Sequence, residues 1–339
     1  MKTVEKKQFR ELMQSVLDAG KVLIAPVRRD KLTEFSVISD PSAAVLDLSN
    51  TKLSLKEHFL PRTECILKYR REEGQVRLYD AELPKDERVI FGARPCDAAS
   101  LPILDKVFTW DYKDNFYLAR RKNTTIVTIA CDAPAPSCLC TSVGLSPSAR
   151  DGSDILLLPL GGERFGVDVV TEKGEKLLSL WKGKTGEAAD AEAKDAASKG
   201  AAITGRKVEV EKLREKLKGQ FESPAWAELT MKCLGCGVCA YICPTCHCFD
   251  IVDEKIGDDG VRLRNWDACG FENFTMHGSG HNPRAAQWQR YRQRLMHKFD
   301  YYLEKFGTIA CVGCGRCMTA CPVGMDIFQV LEGVCSDGK

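Results

Sequence analysis

Two cysteine runs in the last third of the chain constrain its fold and chemistry more than any other feature of the sequence. Each run contains four cysteines with the spacing C-x2-C-x2-C-x3-C, followed directly by a proline. The runs comprise Cys233, Cys236, Cys239 and Cys243, and then Cys311, Cys314, Cys317 and Cys321. Three cysteines at this spacing can wrap a tight loop around one metal centre, and the glycines between them permit close backbone approach. The fourth cysteine begins a new chain direction and is available to a different centre.

This spacing is that of bacterial two-cluster ferredoxins, in which the fourth cysteine of each run binds the cluster held by the other run. The sequence therefore predicts two [4Fe-4S] clusters. The predicted ligands are Cys233, Cys236, Cys239 and Cys321 for cluster 1, and Cys243, Cys311, Cys314 and Cys317 for cluster 2. The alternative is structural zinc, because paired C-x2-C units also build zinc ribbons. A zinc ribbon takes two cysteines from each knuckle and has no use for the third cysteine and the C-x3-C-P tail, so the pattern favours iron-sulfur.

Composition limits the remaining choices. The chain has 339 residues, of which 44% are hydrophobic, and this is enough for two or three domains with substantial cores. Its 49 basic and 47 acidic residues give a net charge of +2, which points neither to nucleic acid nor to a membrane surface. The N-terminal residues lack an apolar signal segment, and no stretch approaches the roughly 20 apolar residues of a membrane span. Because thiolates that hold clusters must stay reduced, we expect a cytoplasmic protein.

The first half of the chain alternates between helical and strand patterns. Residues 3–20 have helical periodicity, residues 88–92 form a buried apolar strand, and residues 98–108 continue as a helix. Residues 154–160 and 164–170 are predicted to pair as a hairpin, because two glycines separate them. These patterns predict a mixed α/β domain at the N-terminus.

The fold class predicted for the whole chain is α+β. We expect an N-terminal mixed α/β domain over residues 1–182, and a linker over 183–206, where large apolar residues are nearly absent. Residues 207–339 are predicted to form a bacterial-type ferredoxin domain with two [4Fe-4S] clusters. Between its two cysteine runs lies a long segment that we interpret as a helical insertion over 249–306, with a cationic helix at about 283–305.

Four further cysteines collect at the ends of two predicted strands. They are Cys96, Cys131, Cys138 and Cys140, and they are candidates for a third cluster if the two strands are neighbours. Cys96 follows a strand and precedes a helix, where backbone N–H groups stabilise a thiolate. The alternative is that these cysteines are small buried hydrophobic residues. Their loop positions, flanked by proline and polar residues, make core packing less natural.

A third group of polar and thiol side chains surrounds the two runs. Cys246, His247 and Cys248 follow the first run, and Cys269 lies farther along. They are interpreted as hydrogen-bond partners of the clusters or as spare residues, since eight cysteines already satisfy two cubes. Arginine and lysine side chains of the cationic helix would raise the potential of an anionic cube nearby.

Several separate motifs together resemble the 4Fe-4S dicluster family. They are Phe-Gly-Ala-Arg-Pro-Cys96-Asp-Ala, the segment from Cys131 through Cys138-Leu-Cys140 to Gly144, Trp266-Asp-Ala-Cys269, His297-Lys-Phe and the two cysteine runs. The family includes the beta subunit of sulfhydrogenases, an iron-sulfur subunit of anaerobic sulfite reductase and the iron-sulfur subunit of flavin oxidoreductases that work with heterodisulfide reductase. The match covers roughly residues 85–335. Leu139 departs from it, because an aromatic residue is expected there.

The resemblance implies a function in electron transfer. Such a subunit relays electrons between a partner that carries FAD and oxidises NAD(P)H, and another, catalytic, subunit. The resemblance also favours a third cluster on Cys96, Cys131, Cys138 and Cys140. The alternative is a stand-alone oxidoreductase with a flavin or small-molecule site in the N-terminal domain, in which Cys96 is a nucleophile. Against this alternative, no G-x-G-x-x-G follows a strand and no H-E-x-x-H occurs. No catalytic residue is therefore assigned.

Overall fold

A computed structural model describes residues 1–189, 192, 198 and 207–336 of the chain. In chain order its strands are β1 (Lys2–Glu5), β2 (Val22–Arg29), β3 (Leu32–Ile38), β4 (Thr63–Glu72), β5 (Gln75–Asp80), β6 (Arg88–Ala93), β7 (Thr124–Ile129), β8 (Ile155–Gly161), β9 (Arg164–Val169), β10 (Gly186–Glu187), β11 (Phe249–Ile256) and β12 (Asp259–Trp266). Its helices are α1 (Gln8–Asp18), α2 (Pro95–Ala98), α3 (Ser100–Phe108), α4 (Asn115–Asn123), α5 (Glu172–Leu180), α6 (Val210–Leu217), α7 (Ala225–Leu229), α8 (Val238–Tyr241), α9 (Gln287–Met296), α10 (Tyr302–Phe306), α11 (Arg316–Thr319) and α12 (Ile327–Ser336). A π-helical turn, His297–Tyr301, joins α9 to α10.

The larger sheet has the strand order β10-β1-β9-β8-β7-β6-β2-β3. Its central strands β2, β6, β7 and β8 are parallel, and the outer strands pair antiparallel. Successive residues of the central strands point to opposite faces, and both faces are buried. Val89 packs on the side of α1 and α5, whereas Ile90 packs on the side of α3 and α4. The N-terminal region is therefore a three-layer mixed α/β fold, as expected.

Strands β6 and β7 are parallel neighbours, with Ala93 paired to Thr128. Their carboxyl ends consequently meet at the same edge of the sheet. Cys96 lies in α2 directly after β6, and Cys131 lies just beyond β7. The sheet thus brings two cysteines that are 35 positions apart in the sequence (131 − 96) to one edge, which is where parallel sheets of this type commonly bind ligands.

The smaller sheet, β11-β12-β4-β5, corrects the expectation of a wholly helical insertion over 249–306. Residues 249–266 form a β-hairpin that turns at Gly257 (φ +62°), and its strand β12 pairs antiparallel with β4. Val261 and Leu263 alternate with arginines in β12, and this period of two is typical of a half-buried strand. A short 3-10 turn occupies Asn273–Thr275, and the α-helical part begins at Gln287.

The structure also differs from two further predictions about the N-terminal region. The helix predicted over 3–20 begins at Gln8, because Lys2–Glu5 pair with β9 and bury Thr3 and Val4 in the sheet. Residues 186–187, within the predicted linker, form β10 and pair with β1. Most of the remaining predicted linker lies outside the described residues.

Helices of the C-terminal region pack around a second apolar core. It contains Trp226 of α7, Leu295 of α9, Phe299 of the π-helical turn and Phe328 of α12. In the part of the chain that the structure describes, no helix is both long and apolar enough to cross a membrane.

A buried ion-pair network fastens the insertion hairpin to the N-terminal region. Arg264 of β12 contacts the carboxylates of Glu64 and Asp114, and its side chain is only 5% exposed. We expect Arg264→Ala to lower the free energy of unfolding by about 3 kcal/mol, because Asp114 loses this buried cation and Glu64 keeps only Arg120. The measurement is urea denaturation in oxygen-free buffer.

Arg262 is the matched control, since it lies in the same strand and pairs with Asp253 at 2.7 Å with 45% of its side chain exposed. Its replacement by alanine is expected to change the free energy of unfolding by less than about 1 kcal/mol. Equal losses for the two variants would contradict the assigned role of the buried network.

Candidate metal centres

The first cysteine run forms a tight loop that leads into α8. Gly237 precedes this helix with a φ of +72°, and a Cβ at this position would lie 2.5 Å from the ring of Phe271. Only glycine fits here, so the loop can pass close to the segment that contains Phe271. The loop borders a cavity whose lining includes Cys233, Cys236, Cys239 and Cys321, and also Cys317 and Cys269. The first four of these, predicted for cluster 1, are called site 1 below.

Cys243 of the first run lies among the cysteines of the second. Burial raises the pKa of Cys311, Cys314 and Cys317 to about 11 each, and the neighbouring Cys243 thiol is among the groups that add to the shift. These four cysteines, predicted for cluster 2, are called site 2. The fourth cysteine of each run therefore lies with the first three cysteines of the other run, as the crossover requires.

Each of sites 1 and 2 gathers four cysteine thiols from two loops. Four thiolates are the ligand set of a [4Fe-4S] cube. The residues present therefore fit such a cluster at each site.

Hydrogen-bond donors point at several of the sulfurs. Gln287 Nε2 donates to Cys233 Sγ at 3.2 Å, and the backbone N–H of Met325 donates to Cys321 Sγ at 3.2 Å. In site 2, Lys298 Nζ donates to Cys243 Sγ at 3.3 Å. Such donors stabilise thiolates and tune the potential of a cluster that the thiolates hold.

Two buried cations of the cationic helix face the cysteines. Burial disfavours the charges of Lys298 and Arg294, but thiols of sites 1 and 2 outweigh this and raise the pKa of both side chains. Among the described residues no ion pair with a carboxylate involves either side chain, and Arg294 Nε lacks a hydrogen-bond partner there. Besides Cys243, Lys298 Nζ donates only to neutral oxygens, those of the Thr245 hydroxyl and the Ala310 carbonyl. Buried cations that lack a carboxylate partner are stabilised by another anionic group nearby. A cube held by four thiolates is such an anionic group.

The neighbouring arginines of the same helix make packing and hydrogen-bond contacts that stabilise the fold. Arg292 lies over the ring of Phe221, with its guanidinium carbon 3.6 Å from the ring centroid, and Arg290 donates to the carbonyl oxygens of Arg284 and Ala285. The cationic helix is thus only partly an electrostatic element of the metal centres.

The four N-terminal cysteines also lie near one another. Burial raises the pKa of Cys131 to about 12, and Cys138 and Cys140 are among the thiols that add to the shift. Cys131 and Cys314 both lie close enough to Cys96 to raise its pKa, although burial is the larger cause of that rise. This group, Cys96, Cys131, Cys138 and Cys140, is called site 3.

Site 3 packs directly against the loop of site 2. Leu139 N donates to the carbonyl oxygen of Gly313 at 2.7 Å, and a Cβ on Gly313 would lie 2.4 Å from the Leu139 carbonyl. Gly313 has a φ of +62°, so glycine is required here both for conformation and for space. Leu139 itself is buried in the C-terminal core, which explains why an aliphatic residue serves at this position.

A buried ion pair between the two regions was missed by sequence reasoning. Arg316 lies between two cysteines of the second run, and its guanidinium binds the Asp97 carboxylate at 2.8 Å and the carbonyl oxygen of Thr51 at 2.9 Å. Asp97 follows Cys96 directly, so the pair holds site 3 against site 2. A charged residue inside each motif was the available signal, but nothing in the sequence links the two.

The other cysteines and histidines named in the sequence analysis lie outside sites 1 to 3. Cys246 and Cys248 lie beside Cys243 and Cys269 respectively. His247 is half-buried, and its Nδ1 lies 3.0 Å from the carbonyl oxygen of Thr245. Its ring centroid is 5.4 Å from that of His297. Two other cysteines satisfy nearby carbonyls: Cys65 Sγ donates to Leu67 O at 3.5 Å and Cys335 Sγ to Leu213 O at 3.3 Å.

Comparison with known proteins identifies the family. The family model described as "4Fe-4S dicluster domain" matches residues 232–325, which contain sites 1 and 2. The chain is 31% identical over 342 aligned residues to the beta subunit of sulfhydrogenase 2 from Pyrococcus furiosus, and the alignment covers 96% of both chains. No solved structure matches the chain. The match along nearly the whole length, together with the paired cysteine loops, shows that this chain belongs to the family of 4Fe-4S dicluster subunits that includes the sulfhydrogenase beta subunit.

Proposed function

We propose that the chain is an electron-transfer subunit of a multi-subunit oxidoreductase, passing single electrons along clusters held at sites 1, 2 and 3. The observation that carries the proposal is that the three cysteine groups are contiguous. Cys96 of site 3 lies beside Cys314 of site 2, and Cys317 of site 2 lies beside Cys239 of site 1. Iron-sulfur clusters carry one electron at a time, so three adjacent clusters make a relay from one side of the molecule to another.

Site 1 is the end of this relay that lies nearest the surface. Cys236 is exposed, and the adjacent Leu234 side chain is 67% exposed. We propose that electrons are exchanged with another protein here, because an apolar contact would exclude water from the cluster edge. At the opposite end, site 3 lies at the carboxyl edge of the larger sheet, beside Arg94 and Asp97.

The partners are proposed from the family. The relative from Pyrococcus furiosus is named as part of a sulfhydrogenase. By analogy, one partner of this chain is a flavin subunit that carries FAD and oxidises NAD(P)H, and the other is a catalytic reductase or hydrogenase subunit. A cytoplasmic location suits this assignment, since the thiolates need a reducing compartment. We further propose that residues 1–182 and 207–339 act as one relay rather than as independent modules.

The purified chain tests the proposal. Prepared without oxygen, it is expected to contain about twelve irons in sites 1 to 3, to hold no flavin and to leave NAD(P)H unoxidised until a flavin partner is added. A yellow chain that oxidises NADH alone would contradict the proposal and favour a stand-alone oxidoreductase.

Site 3 has its own test by substitution. Cys131→Ser is expected to lower the iron content by about four atoms per chain, because one thiolate of the third cube is lost. Cys65→Ser is the matched control, since Cys65 is half-buried in strand β4 and bonds only to a backbone carbonyl. Iron and acid-labile sulfide are counted in both variants. Unchanged iron in Cys131→Ser would remove the third cluster from the account.

The buried ammonium of Lys298 predicts an electrochemical effect. Lys298→Met removes a positive charge beside Cys243 while keeping the length of the side chain. The reduced cluster carries more negative charge than the oxidised cluster, so the substitution destabilises the reduced form more. The reduction potential of the cluster should therefore fall by on the order of 100 mV, taking an effective dielectric constant of about 20. The measurement is a redox titration followed by electron paramagnetic resonance.

Lys305→Met is the matched control for this effect. Lys305 lies on the same helical segment but is exposed, with its ammonium 3.9 Å from the centroid of the Trp110 ring. Its replacement should leave every potential within about 20 mV, because solvent screens exposed charges. Equal shifts in the two variants would contradict the placement of Lys298 beside a cluster.

A further inference from the structure

A buried carboxylate lies at the junction between sites 2 and 3. Asp97 directly follows Cys96 of site 3, and its side chain is 0% exposed. Its carboxylate contacts Arg316 Nη1 at 2.8 Å, and Arg316 Nη2 donates to it at 3.1 Å. A buried ion pair is weak evidence for stability alone, because the loss of water around both charges offsets much of their attraction. These two charges therefore suit a role beyond joining the two regions.

The ion pair is oriented, with its cation on the loop of site 2 and its anion on the helix of site 3. Arg316 lies between Cys314 and Cys317 in the sequence, and its side chain is 3% exposed. Its Nε donates to the carbonyl oxygen of Thr51 and its Nη2 to the Thr51 hydroxyl, each at 2.9 Å. These bonds hold the guanidinium in one position, so the direction of the pair is fixed.

Sites 2 and 3 are in direct contact around this pair. Cys96 and Cys314 both pack against one buried apolar cluster that includes Val312. A Cβ on Gly315 would lie 2.3 Å from the carbonyl oxygen of Ser137, so the loop of site 2 passes against the segment of site 3. Solvent screens charges little in such surroundings, and they act strongly on their neighbours.

The buried charges differ between the two sites. Site 2 has Arg316 in its loop and also Lys298, which donates to a cysteine sulfur of that site at 3.3 Å. Site 3 has the cation of Arg94, which donates to the carbonyl oxygen of Ala130 at 3.3 Å, but it also has the anion of Asp97. A cluster gains negative charge on reduction, so these surroundings favour reduction of site 2 over reduction of site 3.

We propose that Asp97 sets the order in which the two sites are reduced, by lowering the reduction potential of site 3 below that of site 2. One electron shared by the two sites is then held at site 2. When an electron passes from site 3 to site 2, site 3 is oxidised and site 2 is reduced, so the relay has a preferred direction at this junction. This inference rests on the proposed function and adds to it the direction of flow, which the positions of the sites leave open.

A redox titration of the full chain, prepared without oxygen, reduced stepwise with dithionite and followed by electron paramagnetic resonance, tests the inference. The signal that is missing from Cys131→Ser belongs to site 3, and the signal whose potential falls in Lys298→Met belongs to site 2. In the unmodified chain we expect site 2 to be reduced before site 3. Asp97→Asn keeps the shape of the side chain and removes its charge. The ratio of reduced to oxidised site 3 at a fixed potential should then rise about tenfold, which is a shift of about +59 mV for a one-electron couple.

Asp132→Asn is the matched control. Asp132 also directly follows a cysteine of site 3, Cys131, but it is exposed. Solvent screens an exposed charge, so the same ratio should change by less than about twofold.

Reduction of site 3 before site 2, or together with it, in the unmodified chain overturns the inference even if Asp97→Asn does not fold. Equal shifts in Asp97→Asn and Asp132→Asn overturn it too. So does an Asp97→Asn chain that unfolds at lower urea concentration with every potential unchanged, which is the result expected of a pair that only joins the two regions. An unmodified chain without iron-sulfur signals contradicts the proposed function instead, and the inference falls with it.

Discussion

Attraction between buried cations and cysteine sulfurs is the interaction on which this structure depends. Lys298 and Arg294 are buried ionic side chains that face thiols and have no carboxylate partner among the described residues. Burying such charges without an anion would destabilise the fold. The same cations favour a cluster in its reduced form, since the added electron increases the negative charge between them. Stability and redox function therefore depend on one set of contacts, and loss of the clusters is expected to weaken the core.

The rest of the molecule holds the cysteine loops in fixed positions relative to one another. The larger sheet fixes Cys96 and Cys131 at one edge, and the backbone hydrogen bond from Leu139 to Gly313 sets the second cysteine loop against them. The Arg316–Asp97 pair closes the same junction from the other side. The Leu139–Gly313 hydrogen bond and the Arg316–Asp97 pair each join one predicted domain to the other, so the two regions are interlocked rather than joined by a simple tether.

The sequence predicts those features that depend on local spacing. The loops around Cys233 and Cys311 and the strands before Cys96 and Cys131 follow from residue types a few positions apart, whereas the pairing of those two strands does not. The insertion hairpin was missed because its identity as a strand depends on pairing with β4, which lies far away in the chain. Arg316 and Asp97 were missed for the same reason, since 219 residues separate them. Cys248 and Cys269 were noticed, but the hairpin that brings the chain at Cys248 next to Asp267 could not be predicted from either residue.

Spin coupling between reduced clusters tests the central claim most directly, because it requires both that the clusters exist and that they are adjacent. The fully reduced chain, studied by electron paramagnetic resonance at low temperature, is expected to give a broad spectrum split by interaction between neighbouring clusters. Partial reduction should first give simpler signals from single clusters. A fully reduced chain that gave only the sum of isolated, non-interacting signals, or no iron-sulfur signal at all, would contradict the account.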